Sequence, residues 1–319
     1  MKVYSPSQTV AYSFCPYSWY LDGLGIRTKV AGQADYGAIF GDAVAKFHAA
    51  YYTERKERGY FEATPDDIVR YTKLAVETAD HRVENERQAG RIFSEDELAG
   101  VRAAIVSSVE KYVAKDPIPK DWYIAHVELK LEKWGNARPD LVCVRPDGEF
   151  VVVDHKWKRK LDSRFKDKEI ARYTHSWQQK HYLAGVSDLL GVKIRTYYIL
   201  LCVATPRFKC ELLPYSVTDA AAAKWLDTGV YLWGEMEMAE RRYFSLDPLP
   251  PRMNAEHETP FGPCKYSPIC LEYDGDYKRA SLEFVQIERK KPESLRRADS
   301  DAGAVASGPQ PDTAIGTAQ

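Results

Sequence analysis

Asp140, Asp154 and Lys156 are the residues of this chain whose types and spacing could do chemistry together. Asp154 and Lys156 close a β-branched apolar run, Val151-Val152-Val153-Asp154-His155-Lys156. Successive strand residues alternate faces, so the carboxylate and the ammonium point the same way. Burying them is costly unless they meet a metal, a substrate or each other. Asp140 follows Pro139 and precedes a second apolar run, Leu141-Val142-Cys143-Val144. Between the runs, Pro146-Asp147-Gly148 is a strong turn signal. The expected β-hairpin brings Asp140 near Asp154 and Lys156. Two carboxylates can hold Mg²⁺ or Mn²⁺ through oxygen. Such a metal activates water and neutralises phosphate charge, while a lysine orients the water or stabilises a pentavalent phosphorus. This constellation suits metal-dependent phosphodiester hydrolysis. Asp-x-Lys alone is common, and a merely solvated hairpin end could carry the same residues.

The 319 residues suffice for one large domain or two modest ones. A formal net charge of −1 excludes a global basic field, so a polyanion would need a local patch. No apolar run reaches the roughly 18 residues that a membrane span requires. Met1 to Pro6 lack the apolar core of a signal peptide. A cytoplasmic protein with no membrane partner is expected. In that compartment the six cysteines are expected as free thiols or metal ligands rather than disulfides.

The elements that must position the hairpin follow from periodicity. Ser5-Pro6-Ser7 starts a helix. Cys15 before Pro16 marks a break, and a lone cysteine there is usually a small buried hydrophobe. Phe40, Val44, Phe47 and Tyr51 form the core stripe of a helix from Gly37 to about Arg58. His48 lies beside that stripe and by pattern alone reads as a core or boundary histidine. Thr64-Pro65-Asp66-Asp67 opens another helix, and Ser94-Glu95-Asp96-Glu97 caps a third.

Trp122 to Trp134 alternates as a strand, with Tyr123, Ala125, Val127, Leu129 and Leu131 on one face. Glu128, on the other face, suits a metal site or an exposed surface equally. From Lys156 to Arg172 eight Lys or Arg face three Asp or Glu, which suits a loop over a polyanion or a solvated run. A helix from about Tyr173 to Leu190 carries Gln178 and Tyr182 one turn apart. That pair can reach a phosphate or simply form an amphipathic boundary. Two strands follow, holding Cys202 and Cys210 as core thiols, and then a long helix from Thr218-Asp219 to about Tyr243. A mixed α/β sheet with a helical subdomain fits this order. Cys264 and Cys270 lie in a Pro-rich stretch without periodicity, which suggests metal ligation with Cys15 as a distant third ligand.

Taken in order from Ser5 to about Tyr273, these pieces resemble the PD-(D/E)xK nuclease superfamily, and within it the RecB-like exonuclease group. That group includes CRISPR-adaptation exonucleases and AddB-type nuclease domains. Ser5-Pro6-Ser7 with Phe14-Cys15-Pro16 resembles the opening helix and first cluster cysteine. Gly41 to His48 resembles the helix bearing a metal-binding histidine. Pro139-Asp140 and Asp154-His155-Lys156 resemble the two motif halves, Gln178 and Tyr182 the Gln-x-x-x-Tyr helix, and Cys264 and Cys270 the C-terminal cysteines.

The resemblance implies a restriction-endonuclease-like α/β fold, a mixed central sheet flanked by helices. It would have an N-terminal helical subdomain (about 1–120), a sheet core (about 121–217) and a C-terminal helix with a cysteine loop (about 218–285). Residues 286–319 are expected as a disordered tail. By the same resemblance, His48, Asp140, Asp154 and the His155 backbone carbonyl would bind Mg²⁺ or Mn²⁺. Lys156, with Gln178 and Tyr182, would serve catalysis, and Lys158, Arg159, Lys160 and Arg164 would follow the DNA phosphates. Cys15, Cys264 and Cys270 would hold a [4Fe–4S] cluster or zinc. One thiolate of the usual four is missing, and His257 is the candidate replacement. The implied activity is a metal-dependent deoxyribonuclease, an exonuclease on single-stranded or end-bearing DNA in repair, recombination or phage DNA processing. A helicase, recombinase or integrase would be its partner. The alternatives are an endonuclease, or a catalytically weak DNA-binding or assembly subunit on the same fold.

Overall fold

Alternation along one strand divides this protein between two cores. In β4 (Phe150–Lys160), Val151 and Val153 join the cluster under one set of helices, and Val152 joins the cluster on the opposite face. The computed structural model describes residues 2–24, 26–28, 35–88, 91–160, 171, 173, 176–205 and 208–245, with short strands at 258–259, 262–263 and 284–286.

The central sheet runs in the order β2 (Tyr123–Val127), β3 (Leu141–Val144), β4, β5 (Thr196–Thr205), β6 (Lys209–Ser216). β4 and β5 are parallel and the other neighbours antiparallel, so the sheet is mixed. The β3–β4 turn is the expected one, with Gly148 in the left-handed region at φ +85°.

The first face is covered by α3 (Tyr36–Arg58), α4 (Pro65–Gln88) and α5 (Glu95–Lys115). Phe40, Val44, Phe47 and Tyr51 are buried there, as their spacing predicts. Ser94 caps α5 by accepting from the Glu97 N–H. The second face is covered by α6 (Trp177–Leu190), through Tyr182, Leu183 and Val186. α1 (Pro6–Phe14), α2 (Pro16–Gly23) and α7 (Asp219–Ser245) share a third cluster that buries Tyr4, Trp19, Trp225 and Trp233. Ser5 forms the capping box of α1 with Gln8. Gly135, at φ +66°, meets the Ser5 backbone so closely that a Cβ would collide with it.

Three sequence expectations are corrected. The strand from Trp122 to Trp134 ends at Val127, because Glu128 turns into the left-handed region at φ +48° and a 3₁₀ turn follows at Glu132–Trp134. Within it Ile124 is buried and Tyr123 exposed, with a register irregularity between Ile124 and His126. The basic stretch after Lys156 begins as strand, since β4 stays paired with β5 as far as Lys160. Cys202 and Cys210 are a disulfide and not two core thiols, because the β5–β6 register sets them directly opposite. Cys143 is a buried thiol whose pKa burial pushes up to about 12, and Cys15 is half-buried against the third cluster. His257, Cys264, Cys270 and Arg164 lie outside the described residues, as does the expected tail beyond the short strand Phe284–Gln286.

Candidate active site

The hairpin builds a notch at the sheet. β3 begins at Leu141, opposite Val153, while β4 runs on to Lys160 beside β5 alone. Asp140 stands at the step, and its Oδ2 accepts the His155 backbone N–H at 2.6 Å. In a strand the N–H and C=O of one residue face the same neighbour, so the His155 carbonyl also faces this open edge.

On the α6 side, the Lys156 ammonium lies 2.7 Å from Asp154 Oδ2 and donates to Gln178 Oε1 at 3.2 Å. Gln178 Nε2 in turn donates to the Tyr182 hydroxyl at 2.6 Å. Ser176 caps α6 at the Gln178 N–H, which fixes where this pair begins. Direct contacts thus join Asp140 to His155, and separately join Asp154, Lys156, Gln178 and Tyr182, with β4 carrying a member of both sets.

The α3 side holds a cleft of about 150 Å³ lined by Gly41, Ala45, His48, Glu128, Asp140 and His155. The small residues recur every fourth position along α3, so they leave room on the helix face beside His48. His48 is buried, its ring centroid 4.2 Å from that of His155, and its Nε2 has no hydrogen-bond partner.

The two aspartates are pushed apart electrostatically. Burial raises Asp154, as does the charge of Asp140, against the opposing pull of Lys156. Burial alone would raise Asp140 too, but the His155 hydrogen bond and the charges of His155 and Lys156 outweigh it, and its pKa is lowered. Tyr182 is raised, first by burial and then by the Asp154 charge, so it stays a neutral hydroxyl.

His48 is held well below the ordinary histidine value by burial and then by the charge of His155. The unfolded chain takes up a proton near pH 6.5 that the native His48 refuses, so acid favours unfolding. Metal-free protein should therefore lose stability as pH falls below about 6.5, by up to about 1.4 kcal/mol per pH unit for this residue. Melting curves at pH 7.5 and 5.5 check this. His48→Leu should reduce the difference, while His126 and His181, also lowered by burial, keep part of it; an unchanged difference would contradict it.

The donors present suit a divalent cation by type. An imidazole nitrogen without a partner and hard carboxylate oxygens are what Mn²⁺ and Mg²⁺ accept. Among the described residues no three His, Cys, Asp or Glu side chains already stand together as a ligand group, and Asp154 is engaged by Lys156.

Lys158 is half-buried on β4; Arg159 and Lys160 follow it on the same strand. Glu128, open between two readings in the sequence, lines the cleft, 3.5 Å from Arg138. Two cleft neighbours carry no sequence signal. Trp157 lines it from β4, and the Tyr112 hydroxyl reaches His155 Nε2 at 3.0 Å from α5. Tyr112 is invisible to spacing arguments, since its contact spans two distant elements.

No curated protein matches the chain. The family profile described as the PD-(D/E)XK nuclease superfamily matches residues 3–270. That span contains the helical layer, the whole central sheet and every described residue of the notch. The mixed sheet with Asp140 at the step and Asp154 and Lys156 on the longer strand is a restriction-endonuclease-like fold, and the chain belongs to the PD-(D/E)XK nuclease superfamily.

Proposed function

We propose that this protein is a Mg²⁺- or Mn²⁺-dependent exonuclease of the RecB-like group, acting on single-stranded or end-bearing DNA, with residues 1–285 as one nuclease domain. The observation that carries the reading is the pair of contact sets that β4 brings together, Asp140 with His155 and Asp154 with Lys156 and Gln178. Asp140, Asp154, His48 and the His155 carbonyl would hold the cation. When bound, it supplies activation of water and neutralisation of phosphate charge.

The chain's own groups do the rest. Lys156 places its ammonium against the water or the phosphorane, where charge develops. Gln178 holds that ammonium through Oε1, and Tyr182 holds Gln178. Lys158, Arg159, Lys160 and Arg164 would follow the phosphate backbone.

Cys15, Cys264 and Cys270, with His257, would hold an iron–sulfur cluster or zinc. Iron and zinc content of anaerobically purified protein decides between them, and neither metal in stoichiometric amount would sink this part. DNA in repair, recombination or phage processing is the proposed substrate, with a helicase, recombinase or integrase as partner. Among the described residues no helix is long and apolar enough to cross a membrane.

The test offers Mn²⁺ or Mg²⁺ with linear single-stranded, linear duplex and circular DNA. Digestion of linear single strands, with circles left intact, is the expected result. Cutting of circles would replace the exonuclease by an endonuclease. Binding without cleavage in any condition would leave a DNA-binding subunit.

A further inference from the structure

A line of hydrogen bonds leads from the helical layer into the notch. The hydroxyls of Tyr52 on α3 and Tyr112 on α5 lie 2.6 Å apart, both fully buried in the aromatic core. The Tyr112 hydroxyl lies 3.0 Å from His155 Nε2. His155 Nδ1 faces Asp140 Oδ2 at 3.5 Å, while the His155 backbone N–H holds that same oxygen at 2.6 Å.

With Nδ1 turned toward the Asp140 carboxylate, Nε2 is the nitrogen left to meet the Tyr112 hydroxyl. That hydroxyl stands between the Tyr52 hydroxyl and His155 Nε2, and it ties the ring to the helical layer. The His155 side chain is only 4% exposed and its ring packs 4.2 Å from that of His48. A swing of this ring would disturb the contact to Asp140 on one side and the packing against His48 on the other. Tyr112 is what holds the far nitrogen.

We propose that Tyr112 is a positioning residue for the cation site: it fixes the His155 ring, and through that ring it fixes the Asp140 carboxylate and the His48 imidazole. The proposal rests on the reading of Asp140 and His48 as cation ligands. A packing role alone predicts something different. Tyr52 and Tyr112 share one buried hydroxyl pair, so Tyr52→Phe and Tyr112→Phe each break that bond and leave the ring in place. Only Tyr112→Phe also releases His155.

The experiment titrates Mn²⁺ into the full-length wild type, Tyr52→Phe and Tyr112→Phe by calorimetry, with melting curves beside it. Loss of an outer partner that orients a ligand typically costs about 10- to 100-fold in metal affinity. Tyr112→Phe should show a loss of that size, with DNA KM unchanged and cleavage recovering as Mn²⁺ is raised. Tyr52→Phe should bind Mn²⁺ as the wild type does, with a similar melting temperature to Tyr112→Phe. Unchanged affinity in Tyr112→Phe, or equal losses in both variants, would overturn the proposal while leaving the cation site standing. A wild type that fails to bind Mn²⁺ would overturn the site reading and this inference with it.

Discussion

Lys156→Met abolishes cleavage, with a fall in kcat of about 10²- to 10⁴-fold, the range seen when a positioned proton-transfer group or charge-stabilising donor is removed. Methionine keeps much of the length and removes the charge, so the change reads chemistry rather than a cavity. The ammonium it removes is the partner of Asp154 at 2.7 Å and of Gln178 at 3.2 Å. The fold should survive. Burial already raises the Asp154 pKa, so the carboxylate left without Lys156 costs stability as the one at Asp116 does, and the melting temperature should fall without loss of the fold. Lys156→Arg should not restore full activity, because a planar fork cannot occupy the place of a compact ammonium. Single-turnover cleavage at saturating Mn²⁺, with circular dichroism of the same samples, is the measurement. Activity within tenfold of the wild type in Lys156→Met would remove Lys156 from the mechanism.

Arg55→Met should cost about 3–5 kcal/mol, a large share of the roughly 5–15 kcal/mol by which a domain is stable. Arg55 is 2% exposed. Its guanidinium meets Asp116 Oδ1 at 2.9 Å and donates to the carbonyls of Ile118 at 3.1 Å and Pro119 at 2.5 Å. It thereby ties the end of α3 to the left-handed turn, φ +36° at Asp116, that closes α5. Burial pushes the Asp116 pKa up and Arg55 opposes this, so removing the arginine leaves an uncompensated carboxylate. The double change Arg55→Met with Asp116→Leu should recover much of the loss, since replacing both charges removes the stranded group. Urea unfolding of the three proteins tests this. A single-variant loss below about 1 kcal/mol, the scale of an exposed pair, would show the pair to be solvated.

Local chemistry was legible. Pro146-Asp147-Gly148 announced the turn, Ser5 and Ser94 announced their helices, and the stripe from Phe40 to Tyr51 announced the buried face of α3. Such signals lie within a few residues of what they determine. The hairpin also let the meeting of Asp140 with the Asp154 strand be expected before any coordinates, because a tight turn leaves few registers. What escaped depends on register or on distant partners. The Cys202–Cys210 pairing needs the alignment of β5 with β6. The end of β2 needs the positive φ of Glu128, which its side chain does not ask for. Tyr112 and Arg55 act through contacts that no period along their helices encodes.

The step between β3 and β4 also bears on how the protein assembles. Leu141 finds Val153 across a short turn, whereas Val152 finds Tyr197 only after the whole crossover through α6 has closed. Closing the longer loop costs more chain entropy, and parallel pairing forms slowly. Asp140 and the His155 N–H therefore belong to the local hairpin, whereas the Lys156–Gln178 contact needs α6 in place as well. A chain stalled before that closure would carry half of its acidic notch without the lysine's support. Competence to cut would then depend on the crossover through α6 as well as on the hairpin.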